Sequence, residues 1–322
     1  MTLARSPWQV AADIIDPMPN PYVKDPVGWV REVLGEDLWS GQEWMARAVV
    51  ENDRVVVKSG HSTGKTRIIS RLIAWFVSVH PIHEVRVVVT ADNFDQITGG
   101  IWRELILLHQ EKGLPGRVTL DAKWHAGPGN DIEVAVGVKP SDKNPTGLQG
   151  RHARYLLCII EESAGVPKEI WEAVESLASN EGATILAVGN PTDPTAYMAE
   201  VCKPGSGWLV KKIASVDTPE FTGEQVSEQL RGVLASRSWV EGRRRAWGEN
   251  SPAFISRILG EFPDISDDTL IQPKWIRAAQ ERQLPRTRRP VLAADVARYG
   301  DDESCIAQRE GGWVRVVHTH LQ

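Results

Sequence analysis

Residues 54–79 constrain the fold more than any other stretch of the chain. A β-branched run, Arg54 to Lys58, leads into Ser59-Gly60-His61-Ser62-Thr63-Gly64-Lys65-Thr66, and an apolar helix is expected over Ile68 to Val79. A strand, a glycine-bearing loop ending in Gly-Lys-Thr and a helix, in that order, are the context in which a loop cradles nucleotide phosphates. The glycines let backbone N–H groups turn inward at a helix N-terminus, where the helix dipole also favours an anion. Lys65 is then placed to reach the β and γ phosphates and Thr66 to hold Mg²⁺ through its hydroxyl, so ATP and Mg²⁺ are the expected cofactors. Ser59 stands where the first glycine of the pattern usually sits, and it is small enough for the position. The plainer alternative is a glycine-rich turn that only caps the helix.

Such a loop needs a sheet to stand on. The runs Val55 to Val57, Val85 to Val89, Ile132 to Val136, Tyr155 to Ile160 and Thr184 to Val188 alternate with helical patterns. That alternation specifies an α/β fold with a central, mainly parallel sheet, and near-continuous apolar strands are buried on both faces. Ahead of them, the first fifty residues read as an extended, Pro-bearing arm followed by helical stretches over Gly28 to Leu34 and Gly41 to Val50.

ATP hydrolysis also requires carboxylates, one to position magnesium and one to orient the attacking water. Leu156-Leu157-Cys158-Ile159-Ile160 is an apolar strand that runs out into Glu161-Glu162. Its acids emerge at the carboxyl edge of the sheet, where α/β proteins bind ligands. Successive strand residues point to opposite sides, so the two are given separate roles: Glu161 in the magnesium shell, Glu162 in water activation. Asp is usual at the first position, and the extra methylene of Glu161 is expected to loosen or displace the metal contact. Taken alone, the pair reads better as acids favouring the N-terminus of a helix over Pro167 to Leu177, and it is the glycine loop about a hundred residues upstream that favours the functional reading. A further strand ends in Gly189-Asn190-Pro191, where Asn190 is a candidate γ-phosphate sensor, although Asn-Pro turns also occur for conformational reasons alone. Arg151, just before the acidic strand, is a candidate arginine finger acting on a neighbouring subunit's nucleotide.

Composition excludes several classes. The 322 residues carry a net charge of −5, so contact with nucleic acid must come from local basic surface rather than the average field. Two patches offer it, Arg243-Arg244-Arg245 with Arg237, and Arg282, Arg286, Arg288 and Arg289, although a charge run on a helix is more often a solvated face. The three cysteines, Cys158, Cys202 and Cys305, have no C-x-x-C spacing, which argues against disulfides and zinc and for a reducing compartment. No stretch approaches the roughly 20 apolar residues that span a bilayer, so no membrane partner is expected and the cytoplasm is the expected location.

After Val216 the chain turns polar and helical until Gly260-Glu261-Phe262-Pro263, and residues 283–290 read as a linker. The expected division is an ATPase domain with its arm over 1–217, a helical connector and linker over 218–290, and the start of a further domain over 291–322.

These motifs resemble those of the large terminase subunits of tailed phages and prophages, over nearly the whole chain. Asp25-Pro26-Val27 with Trp39-Ser40-Gly41-Gln42 is similar to their adenine-side segment, which places base reading on Gln42. The loop at 59–66, the strand ending in Glu161-Glu162 and the Gly189-Asn190-Pro191 turn resemble their Walker A, Walker B and coupling motifs. Trp247 to Pro252 and Gly260 to Pro263 are similar to their connector between motor and nuclease. The run from Val291 to Asp302 resembles the first motif of their ribonuclease-H-like nuclease and puts Asp295 on the first metal-binding aspartate. In isolation a surface hairpin with solvated acids is the favoured reading of those residues. Two-metal cleavage needs several converging carboxylates, which later strands beyond Gln322 are expected to supply, so no nuclease activity is expected of this chain.

The resemblance implies a P-loop ATPase of the additional-strand catalytic-glutamate class, followed by a helical connector and an incomplete ribonuclease-H-like segment. It implies an ATP-hydrolysing DNA-packaging motor in the host cytoplasm, with double-stranded DNA, a portal protein and a terminase small subunit as partners, working as a homo-oligomeric ring on the capsid. A helicase-like or remodelling ATPase shares the motor core and remains open, as does a nucleotide-binding prophage remnant impaired through Ser59 and Glu161.

Overall fold

The β-branched runs become the middle of an eight-stranded sheet in the computed structural model, which describes residues 20–140, 145–148, 150–264, 273–286, 289–296 and 303–321. The strands are β1 (Arg54–Ser59), β2 (Val85–Ala91), β3 (Arg117–Thr119), β4 (Lys123–Ala126), β5 (Ile132–Gly137), β6 (Tyr155–Glu161), β7 (Ala183–Gly189) and β8 (Leu209–Ile213). Their order across the sheet is β3-β4-β5-β2-β6-β7-β1-β8. All neighbours from β5 to β8 pair in parallel, and β3 and β4 add an antiparallel edge. One relationship fixes the class: β7 lies between β1, which carries the glycine loop, and β6, which carries the acid pair. This is the α/β P-loop architecture with an additional strand.

Alternation along each strand sends side chains to both faces. Val55 and Val57 join one core with Ile68 and Leu72, while Val56, between them, joins the other with Ile170 and Trp171. The first core is covered by α1 (Pro26–Glu32), α2 (Ser40–Glu51), α3 (Lys65–Val79) and α4 (Arg103–Lys112), the second by α5 (Lys168–Leu177). Local chemistry sets several helix starts. Pro26 opens α1, where its missing N–H costs nothing, and the Asp25 carboxylate accepts from the Gly28 amide at 2.8 Å.

Three strands lie outside the sequence expectation. β3 and β4 are short, and β4 buries only alternate residues, Trp124 and Ala126. β8, Leu209–Ile213, is an edge strand with two exposed lysines, a composition that guards an open edge and hides the strand from a search for apolar runs. Ahead of α4, residues Ile97–Trp102 form a π-helical turn containing Gly99 and Gly100.

Beyond β8 the chain continues through α6 (Arg237–Trp247) and α7 (Pro252–Arg257), which share a small core of Val240, Phe254 and Ile258. The chain divides into two compact units between residues 268 and 269. The second contains α8 (Pro273–Glu281) and an antiparallel sheet of β9 (Val291–Asp295), β10 (Glu303–Glu310) and β11 (Trp313–Leu321), with β10 in the middle. Among the described residues no helix is long and apolar enough to cross a membrane.

Candidate nucleotide site

The loop after β1 is held from outside by its carbonyls, and every one from Ser59 to Gly64 accepts a hydrogen bond. Ser59 O receives the Asn190 side-chain amide, and Gly60 O receives the hydroxyls of Ser59 and Thr63 at 3.1 and 3.4 Å. Ser215 Oγ donates to His61 O at 2.7 Å and the Ala235 amide to Ser62 O at 2.8 Å. Trp39 Nε1 donates to Thr63 O at 3.0 Å, and Gln42 Nε2 donates to Gly64 O at 3.0 Å. Two backbone conformations make the wrap possible, left-handed at Ser62 (φ 52) and at Gly64 (φ 81). Ser59, in place of a glycine, stays compatible with the loop: its Oγ lies 2.7 Å from Thr63 Oγ1, where either hydroxyl can donate to the other or to Gly60 O.

Gly60 is required for a different reason, space. A Cβ there would stand 2.6 Å from Ser215 Oγ and 2.7 Å from both Ser215 N and Ile258 O. The approach is that close because Gly60 N donates to Ile213 O at 2.8 Å and His61 N to Arg257 O at 2.6 Å. The segment after β8 therefore backs the glycine loop directly. His61 also lays its ring near parallel to Trp239 of α6, 6.4 Å between centroids, and burial together with the nearby Lys65 charge lowers its pKa.

Both acids reach the loop. Glu161, 4% exposed, closes β6 and accepts from Thr66 Oγ1 at 3.4 Å through Oε1. Its Oε2 is buried without a hydrogen-bond partner, and burial, reinforced by the Glu162 charge, pushes the carboxyl up to about 7 against the pull of Lys65 and Thr66. A buried, unpartnered carboxylate oxygen is a group that a cation would satisfy. Glu162 is off the strand, in the left-handed region at φ 44, which costs on the order of 1 kcal/mol for a non-glycine residue. The expected opposition of the two side chains is corrected here: strand alternation stops at Glu161, and the left-handed turn brings Glu162 Oε1 to 3.2 Å from Lys65 Nζ. Asn190 at the end of β7, 5% exposed, reaches Lys65 Nζ with its Oδ1 at 3.5 Å. Lys65, Thr66, Glu161, Glu162 and Asn190 thus form one cluster at the carboxyl edge.

The other candidate residues are more dispersed. Gln42 is 1% exposed and its amide serves the loop backbone, with the Trp39 amide 3.5 Å from its Oε1. Arg151 pairs with Glu133 Oε1 at 2.6 Å and donates to Gly147 O at 3.1 Å; Glu133 belongs to the start of β5, so this arginine is away from its own chain's loop. Asp295 ends β9 in the second unit, exposed and opposite Cys305 of β10. Asp301 and Asp302 lie outside the described residues, and among the described residues no three metal-ligating side chains converge. In the Arg243–Arg245 run, Arg243 covers the Trp247 ring, and Arg244 covers Phe254 and pairs with Glu249 at 3.2 Å. Arg288 lies outside the described residues, and Arg286 stands 3.8 Å over the Trp313 ring. Sequence reasoning missed Arg103, which lines a cavity of about 350 Å³ with Ser62, Lys65, Thr66 and Gly100. It missed the loop's braces too, Ser215, Ala235 and Arg257, for which no local pattern exists.

No protein-family model matches the chain. In sequence it is 22% identical over 297 residues to the "Probable terminase, large subunit" of Enterobacteria phage P7, covering 88% of this chain and 54% of that protein. The chain therefore spans about half the length of this curated relative. In fold it is similar to the large terminase ATPase domain of Thermus phage P74-26, with a TM-score of 0.54 at 17% identity, covering 72% of this chain and 96% of that domain. The large terminase of bacteriophage HK97 matches with a TM-score of 0.54 at 13% identity, over 91% of this chain and 66% of its own. Sequence and fold thus agree in setting this chain beside the large terminase subunits of phages, as the motif resemblance implied.

Proposed function

We propose that this chain is an ATP-hydrolysing, DNA-packaging motor of the large terminase kind. The observation that carries the reading is the convergence of Lys65, Thr66, Glu161, Glu162 and Asn190 on a loop whose carbonyls are all committed to the protein. With the carbonyl side fixed and the Gly60 and His61 amides donating to Ile213 O and Arg257 O, the amides of residues 62–66 are the ones left to meet phosphate oxygens at the start of α3.

Lys65 then holds the β and γ phosphates, and Glu162 orients a water and accepts its proton as the oxygen attacks the γ phosphorus. The bond from that phosphorus to the β–γ bridging oxygen breaks, giving ADP and phosphate. Glu161, with its orphaned Oε2, and Thr66 are the side chains that would hold Mg²⁺, whose chemistry there is to neutralise charge on the β and γ phosphates. Asn190 touches both Lys65 and the Ser59 carbonyl, so loss of the γ phosphate is felt at the end of β7. Gln42 keeps the loop in shape from behind, its amide nitrogen spent on Gly64 O, and base reading by it rests on the resemblance alone. Arg151 acts on a neighbouring copy's nucleotide, for which it must leave Glu133.

Double-stranded DNA, a portal protein, a terminase small subunit and a ring of copies are the partners of this reading, in the host cytoplasm. Further division into a motor over 1–217, a connector over 218–290 and a nuclease start carrying Asp295 belongs to the same proposal. The deciding measurement is phosphate release from Mg²⁺·ATP by the 322-residue chain, with and without linear double-stranded DNA. Turnover should rise with DNA and fall by at least about a hundredfold in Lys65→Ala. Wild-type turnover in that variant would remove the reading, and strand separation of a forked duplex would move it to a helicase.

A further inference from the structure

The cavity in front of the phosphate loop is lined by three cations, Lys65, Arg67 and Arg103. Two of them are already balanced inside the protein. Lys65 faces Glu162 at 3.2 Å, and Arg67 faces the buried carboxylate of Glu36 at 2.6 Å, a group it shares with Arg71. Arg103 is exposed and has no ion pair or side-chain hydrogen bond among the described residues, so it is the cation in this wall with its full capacity left for an anion. Its neighbour Glu104 does not neutralise it, because Glu104 Oε2 is engaged by Arg71 Nη1 at 3.0 Å.

Its placement has a structural cause. Arg103 is the first residue of α4, directly after the π-helical turn Ile97–Trp102, and such turns are frequent at functional sites. The turn packs close to the loop: a Cβ on Gly100 would lie 3.8 Å from Thr66 Cγ2, in ordinary contact, so the pair Gly99-Gly100 leaves open space where larger side chains would narrow the cavity. The cavity is also lined by Val233, 55% exposed, which offers an apolar wall and no charge.

We propose that Arg103 binds a phosphate oxygen of the nucleotide in the same subunit, as a phosphate-binding side chain beside Lys65. This rests on the nucleotide-site reading above and names a residue that the loop and acid motifs do not include. A guanidinium presents a fixed fork of donors to a phosphate, which lysine copies poorly, so the contact is expected to be sensitive to Arg103→Lys as well as Arg103→Ala. Because the contact is made to bound nucleotide before and during the reaction, it contributes to binding more than to the chemical step.

The test compares wild-type, Arg103→Ala and Arg103→Lys chains by ADP titration and by ATP turnover, with a thermal melt of each as the folding control. We expect ADP affinity to fall and KM for ATP to rise by about tenfold in Arg103→Ala, with kcat within about twofold of wild type and Arg103→Lys in between. Unchanged ADP affinity and KM in a folded Arg103→Ala protein would overturn the assignment. So would an effect confined to DNA stimulation, which would place Arg103 on the DNA instead. Wild-type chain that binds ADP yet releases no phosphate from ATP counts against the motor reading alone, and the ADP titrations still decide Arg103.

Discussion

Lys65 and Glu162 form an ion pair, Nζ to Oε1 at 3.2 Å, although Lys65 opens the helix after β1 and Glu162 follows β6, strands separated in the sheet by β7. The left-handed backbone at Glu162 is what closes that distance. On the proposed nucleotide reading, a phosphate that takes Lys65 competes with this carboxylate, which then gains freedom to meet water. Replacing Glu162 by Gln separates the two effects. Phosphate release is expected to fall by about 10²–10⁴-fold, the usual contribution of a general base, while ADP binds at least as tightly as to wild type. Steady-state turnover and ADP titration measure both, and a tenfold weaker ADP affinity in Glu162→Gln would contradict the competition argument.

Gln42 carries the second prediction. Its amide nitrogen donates to Gly64 O at 3.0 Å, and a Cβ on Gly64 would come within 2.5 Å of that nitrogen, so the side chain fits tightly behind the loop. Cutting it to Ala leaves a buried carbonyl less well satisfied and is expected to cost about 1–2 kcal/mol of stability. Acting through the loop, Gln42→Ala should weaken ADP and GDP by the same factor. A loss for ADP with none for GDP would instead mark direct reading of the base.

How much of this was legible in the sequence depends on the range of the interaction. The strands that bury both faces, Val55 to Val57 and Leu156 to Ile160 among them, are continuous apolar runs and were visible as such, as was the glycine loop between strand and helix. Strand β8 was not, because Lys211 and Lys212 break the apolar pattern at an edge where water is available. The acid pair was visible by its place at a strand end. Its geometry was not, because the strand period ends at Glu161 and the φ of Glu162 is set by tertiary packing. Ser215 braces His61 O from 154 residues away, and nothing local marks a serine for that duty. Arg103 reads in sequence as one more charge on an amphipathic helix, and only the π-turn before it shows which way it faces.

The last prediction concerns the far end of the helix that the phosphate loop begins. His80 follows α3 and is stacked on Tyr155, 4.2 Å between centroids at 14°, with the Phe76 ring edge-on at 4.6 Å. Burial among these rings lowers its pKa from 6.5 to about 4. The folded state therefore keeps His80 neutral where the unfolded chain protonates it. Between pH 6.5 and 4 the unfolded state binds more protons at this residue, so its contribution to stability is fully present above 6.5 and is lost as the pH falls toward 4. Carboxylates titrate in part of the same window, so the quantity that isolates His80 is a difference. His80→Phe keeps an aromatic ring against Tyr155 and has no proton to bind, and its denaturant midpoint should fall less steeply than that of wild type from pH 6.5 to 4. Equal slopes would show that His80 is protonated as easily in the folded protein as in the unfolded chain, and that the end of α3 tolerates a charge.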